Sequence, residues 1–196
     1  MNQSTDIEIR QALHKNVLSA HHKNPKTIVV DELGLSHGKN RIDIAVLNGY
    51  LHGYEIKSSK DNLNRISAQL DEYSKSLQKL TIVVAPNHIE DVIKIAPSWS
   101  GIILAEKGSK GGFQFSKIRA PQINPEVCTI SVAHLLWKDE AISYLKYLGV
   151  SDNLTNRSRK TLYEDISKLS SVNELISWIK LKFVSRERWR ADLQPS

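Results

Sequence analysis

A single cysteine, Cys128, stands in the whole chain. One thiol excludes an internal disulfide and any cysteine-based zinc cage, and it suits a reducing compartment. Long hydrophobic runs are missing too. The longest apolar stretches, Thr81 to Ala85 and Ile42 to Leu47, fall far short of the ~20 residues that a membrane-spanning helix needs. The opening residues, MNQSTDIEIRQ, contain no apolar segment of the kind a signal peptide carries. These absences predict a cytoplasmic protein with no membrane partner. There is no internal repeat and no low-complexity tract. The basic turn Lys107-Gly108-Ser109-Lys110-Gly111-Gly112 lacks the spacing of a P-loop, so no nucleotide site is read there.

What is present suits a globular protein. At 196 residues, 40% hydrophobic and 24% charged, the chain can bury a sizeable core. Its net charge is +6, which is compatible with a polyanionic partner. Between Arg157 and Arg190, nine Lys or Arg residues face four acids, so nearly all the excess lies in this segment. It reads either as a polyanion-binding surface or as a solvated helical one.

Hydrophobic spacing predicts an α/β core with a mixed sheet flanked by helices. A helix is expected over residues 6–20, then strands over 26–35, 41–47 and 51–57. A helix follows over 60–77, a buried strand over 80–85, a short helix over 89–95, and strands over 101–105 and 113–118. Two prolines between Ala120 and Pro125 mark the expected boundary between a core at 1–120 and a helical, basic extension at 121–196. In the extension, helices are expected over 132–148, 162–169 and 172–184.

Asn48-Gly49 between two apolar runs signals a hairpin. A two-residue loop would set Asp43 against Tyr54 and put Asp43 and Glu55 on opposite faces. A three-residue loop, Asn48-Gly49-Tyr50, pairs Leu47 with Leu51 and brings Asp43 opposite Glu55; this register is the one expected. Glu55 and Lys57 are two apart on a strand and leave the same face. Two neighbouring carboxylates repel unless one is protonated or a cation bridges them. With the Ile56 backbone carbonyl between them they offer hard oxygen ligands suited to Mg²⁺, or Mn²⁺ in its place. Metal plus lysine is what phosphodiester hydrolysis needs. On the next helix Arg65, Gln69 and Tyr73 recur at i, i+4 and i+8, a row that either touches a nucleic-acid backbone or faces solvent.

Several runs carry a family resemblance: Asp31-Glu32-Leu33, Arg41-Ile42-Asp43-Ile44-Ala45, Gly53-Tyr54-Glu55-Ile56-Lys57-Ser58, and Asp61, Arg65, Gln69 and Tyr73 on the following segment. Together they resemble the PD-(D/E)XK superfamily, and within it a bacterial and phage-borne nuclease-like family. The tail is similar through Pro97-Ser98-Trp99-Ser100-Gly101, Leu135 to Glu140 and Arg186-Glu187-Arg188-Trp189. The resemblance implies a restriction-endonuclease-like core and a Mg²⁺-dependent deoxyribonuclease, with endonuclease action favoured over exonuclease. It implies Asp43 and Glu55 as metal ligands and Lys57 as the catalytic lysine, with Glu32 and Glu8 as candidates for a further acid. DNA is the expected partner, held by Arg65, Gln69 and Tyr73 and by Arg186, Arg188 and Arg190; cutting both strands would call for a homodimer. Two other readings stand beside it: a DNA-binding module that does not cut, and a protein–protein adaptor using the Trp-containing tail.

Among weaker signals, His21-His22 reads as a solvated pair, and Trp137 and Trp178 as packing residues of the tail. Trp189, between Arg188 and Arg190, reads either as a base-stacking or as a packing residue.

Overall fold

In a computed structural model that describes residues 3–186, the chain forms a six-stranded sheet covered by helices on both faces. Two helices come first, α1 (Asp6–Asn16) and α2 (Ser19–Lys23), in place of one continuous helix over 6–20. Helix α1 starts on a reciprocal cap: Thr5 accepts the Glu8 backbone N–H, while the Glu8 carboxylate accepts the N–H of Thr5. The strands β1 (Ile28–Leu35), β2 (Asn40–Leu47) and β3 (Leu51–Lys57) then form an antiparallel meander.

Helix α3 (Ile66–Ser76) starts later than the periodicity predicts. Asp61 accepts hydrogen bonds from both the backbone N–H and the hydroxyl of Ser58, each at 2.7 Å, which holds the segment after β3 in a turn. Strand β4 (Lys79–Val84) pairs parallel with β3, and after α4 (Ile89–Ile95) strand β5 (Gly101–Lys107) pairs parallel with β4. Strand β6 (Phe113–Arg119) closes the sheet antiparallel to β5. The chain thus belongs to the α/β class, with a mixed sheet in the order β1-β2-β3-β4-β5-β6.

Four helices follow: α5 (Thr129–Ala133), α6 (Lys138–Tyr147), α7 (Arg159–Leu169) and α8 (Val172–Ser185). The single helix expected over 132–148 is split because the Glu140 carboxylate accepts the Trp137 backbone N–H at 2.8 Å and starts a new helix there. One apolar cluster holds Leu70, Tyr73 and Leu77 beneath the sheet together with Leu145, Leu162, Ile166, Ile179 and Phe183 of the later helices. The opposite sheet face packs Ile44, Val46, Tyr54, Ile56 and Val83 against Ile9 and Leu13 of α1. Among the described residues, no helix is long and apolar enough to cross a membrane.

Candidate functional site

The hairpin sets the site. Gly49 takes φ 76°, a left-handed conformation that glycine adopts without a steric penalty. Leu47 pairs with Leu51 and Ile44 with Tyr54, the register that the three-residue loop requires. Continued by one step, it sets Asp43 opposite Glu55. At that step β2 leaves β3. The β1–β2 ladder also skips one position, pairing Asp31 with Ile44 and Leu33 with Ile42. The skipped residues are Glu32 and Asp43, and Glu32 stands at φ 54°, a costly backbone for a residue with a Cβ.

Asp43 fills the gap in the ladder with its side chain. The Ile56 backbone N–H donates to Asp43 Oδ2 at 2.6 Å, as it would to a neighbouring strand's carbonyl. Arg10 of α1 reaches the other side, donating to Asp43 Oδ1 at 3.1 Å and to its carbonyl at 3.0 Å. The same guanidinium lies 3.0 Å from Asp6 and 2.5 Å from Glu32. Three carboxylates from α1, β1 and β2 therefore converge on one arginine. Burial works against the charge of Arg10, but Asp6, Asp43 and Glu32 outweigh it and hold it protonated. Arg10 is the residue that the sequence reading missed. Its signal was Asp6–Arg10 at i, i+4 on the first helix.

Glu55 is 2% exposed, turned toward α3, and its two oxygens are both engaged. Oε1 accepts from Lys57 Nζ at 2.6 Å and from Gln69 Nε2 at 3.1 Å; the Tyr73 hydroxyl lies 2.7 Å from Oε2. Lys57 also donates to Gln69 Oε1 at 3.0 Å. The Tyr73 hydroxyl has one proton, yet it lies 2.9 Å from the Arg41 carbonyl as well. That hydroxyl therefore donates either to Glu55 or to the Arg41 carbonyl, one at a time. Burial raises the Glu55 pKa, against the pull of Lys57 and of the Tyr73 hydroxyl. Asp43 is pushed up to about 8 by burial and by the charge of Glu55, against the Ile56 N–H and Arg10.

The structure thus brings Glu55, Lys57, Gln69 and Tyr73 into one network on the α3 side, holds Asp43 in a separate cluster with Arg10 on the α1 side, and leaves out other predicted residues. Glu8 lies outside it: its carboxylate is 2.5 Å from Lys107, which with Thr5 lowers its pKa to about 2. Arg65 is exposed at the start of α3. Tyr73 is fully buried, so it faces Glu55 and not a nucleic acid. Arg186 is buried as well, bound to Glu140 and to the Leu135 carbonyl, with Trp137 and Phe183 against its guanidinium. Arg188, Arg190 and Trp189 lie outside the described residues.

The oxygens of Asp43 and Glu55 do not fit a Mg²⁺ or Mn²⁺ site as they stand, because protein donors occupy both carboxylates. Arg10 and Lys57 are the cations that balance them. Among the described residues, no group of three or more His, Cys, Asp or Glu is arranged to hold a metal ion. What fold and site define is an α/β protein whose sheet carries a buried, internally neutralised acid–base network.

The comparisons with known proteins place it further. The family described as Bacteriophage P4 protein cII matches residues 2–192, and the chain belongs to that family. It is 25% identical over 151 residues to Protein cII of Enterobacteria phage P4. That alignment covers 77% of this chain and 56% of the phage protein, so the chain spans little more than half of that relative's length. No solved structure matches. Membership in the cII family overturns the resemblance to PD-(D/E)XK nucleases, and with it the reading as a Mg²⁺-dependent deoxyribonuclease. The physical reason for the error is plain: an Asp and a Glu-x-Lys on a hairpin are produced equally well by structural ion pairs, and here each charge has an internal partner.

Proposed function

We propose that this chain is a nucleic-acid-binding module that does not cut, and that Asp43 ties the sheet to α1 through Arg10 while Glu55 and Lys57 tie it to α3. The observation that carries the reading is a pair of cations, Lys39 in the β1–β2 turn and Arg159 at the start of α7. Both are exposed, and neither forms a salt bridge among the described residues. Both lie close enough to His37 to disfavour its protonation. On a chain of net charge +6, unpaired cations from two separate parts of the sequence form a surface for phosphates. The helix, antiparallel meander, helix and parallel strand also support a restriction-endonuclease-like arrangement of the core, as scaffold alone.

The test is affinity for a labelled DNA duplex as salt is varied. The reading expects log K to fall linearly with log salt, by ~0.9 for each phosphate neutralised. It expects Lys39→Ala with Arg159→Ala to flatten that slope by one to two such contacts. Unchanged affinity and slope in the double variant would remove the surface from the reading.

A further inference from the structure

Beneath the surface that carries Lys39 and Arg159 lies a cavity of about 320 Å³, between the β1–β2 turn and the later helices. Its walls include Leu33, His37, His134, Trp137, Arg159 and Tyr163. The His37 and His134 rings lie tilted against each other with centroids 4.2 Å apart, and Tyr163 meets them at 5.6 and 5.2 Å. Burial and the neighbouring positive charges keep both imidazoles from protonating readily.

Three features separate this cavity from a simple packing defect. The turn that presents His37 is left-handed at three successive residues, Ser36 at φ 48°, His37 at 60° and Gly38 at 81°. Only the glycine takes such a conformation freely, so the fold bears strain to set the His37 ring where it is. Nδ1 of His134 is buried without a hydrogen-bond partner, and such an atom is costly unless a ligand or water completes it. The charge in its wall is also one-sided. Arg159 and Arg186 are the charged residues that line it; Arg186 is neutralised by Glu140, while Arg159 forms no salt bridge among the described residues.

We infer that this cavity binds a phosphoryl group, with Arg159 supplying the charge and His37 and His134 the hydrogen bonds. The same chemistry comes from two sources, a free phosphate or a phosphate of a nucleic-acid backbone. The inference deepens the nucleic-acid reading by giving it a site, and rests on that reading only for the second source. Tyr163 is held by its hydrogen bond to the Leu136 carbonyl at 2.8 Å and serves as a wall, leaving the imidazoles to adjust.

The experiment follows the imidazole NMR signals of His37 and His134 in the full chain while inorganic phosphate, or a short single-stranded DNA, is added. Two variants accompany it. Arg159→Ala changes an exposed side chain. His37→Asn removes one ring but keeps a residue that tolerates the left-handed turn. Both ligands are expected to shift both histidines, and both variants to weaken phosphate and DNA at least tenfold. His37→Asn should keep or raise the melting temperature, whereas a merely structural histidine would lower it. Phosphate that shifts the histidines while DNA binds equally well to wild type and Arg159→Ala supports the cavity as a small-anion site and moves nucleic acid elsewhere. DNA binding unaffected by either variant, with no shift from phosphate, overturns the cavity and leaves the nucleic-acid reading standing. Absence of binding by either ligand to wild type overturns both.

Discussion

At the residue scale, the Asp43 carboxyl should govern how stability changes with pH. In the unfolded chain it loses its proton near 3.8, whereas in the folded protein burial and Glu55 push it up to about 8. Between those values the native state holds a proton that the unfolded state has released, so each rise in pH favours unfolding. Stability from this group is complete below pH ~4 and is lost as pH climbs towards 8. Asp43→Asn keeps the neutral shape and should flatten the fall in melting temperature between pH 5 and 8; an unchanged fall would show that Asp43 is ionised throughout. Arg10 makes the complementary case. Arg10→Gln leaves Asp6, Glu32 and Asp43 without their shared cation, and breaking such a partly buried group should cost on the order of 3 kcal/mol in urea unfolding. Millimolar Mg²⁺ should raise the melting temperature of Arg10→Gln by several degrees by taking that place, and leave wild type unmoved. An equal shift in both proteins would put the ion elsewhere.

At the scale of elements, most of the fold was legible and the site only in part. Strands β1 to β6 follow from apolar runs punctuated by Gly, Asn and Pro, because burial on a sheet imposes a period the sequence must show. The Asn48-Gly49-Tyr50 loop fixes the register that pairs Leu47 with Leu51 and Ile44 with Tyr54, but not the step beyond it, where Asp43 leaves the ladder and accepts the Ile56 N–H with its side chain. Helix ends were misread where a polar side chain decides them: Asp61 delays α3 and Glu140 splits α5 from α6. Arg10 was invisible because its partners Glu32 and Asp43 are distant in sequence and meet it only when α1 lies on the sheet. The junction of α3 with the sheet has its own test at Gly53. A Cβ there would lie 2.5 Å from Leu77 and 2.9 Å from Ile42, so Gly53→Ala should destabilise by about 1–3 kcal/mol in chemical denaturation. A neutral result would show that α3 can withdraw from the sheet without cost.

At the scale of the whole molecule, the sheet and the later helices share one apolar cluster, and Arg186 pins the end of α8 to α6 through Glu140. Arg186→Ala strands a carboxylate that is 12% exposed; it should cost about 3–5 kcal/mol. The loss should appear first as faster amide exchange in α6 and α8. Loss of DNA affinity with exchange unchanged would instead return Arg186 to the binding surface. The proposed function, nucleic-acid binding without cleavage, belongs to the chain as a whole. Fluorescence anisotropy of an end-labelled duplex, followed over hours with the protein at low salt in Mg²⁺ and again in EDTA, reads both halves at once. The expected result is a rise in anisotropy that is equal in the two buffers, constant in time and reversed by added salt. No rise, or a rise that decays in Mg²⁺ and not in EDTA as the label is released on short fragments, would contradict it.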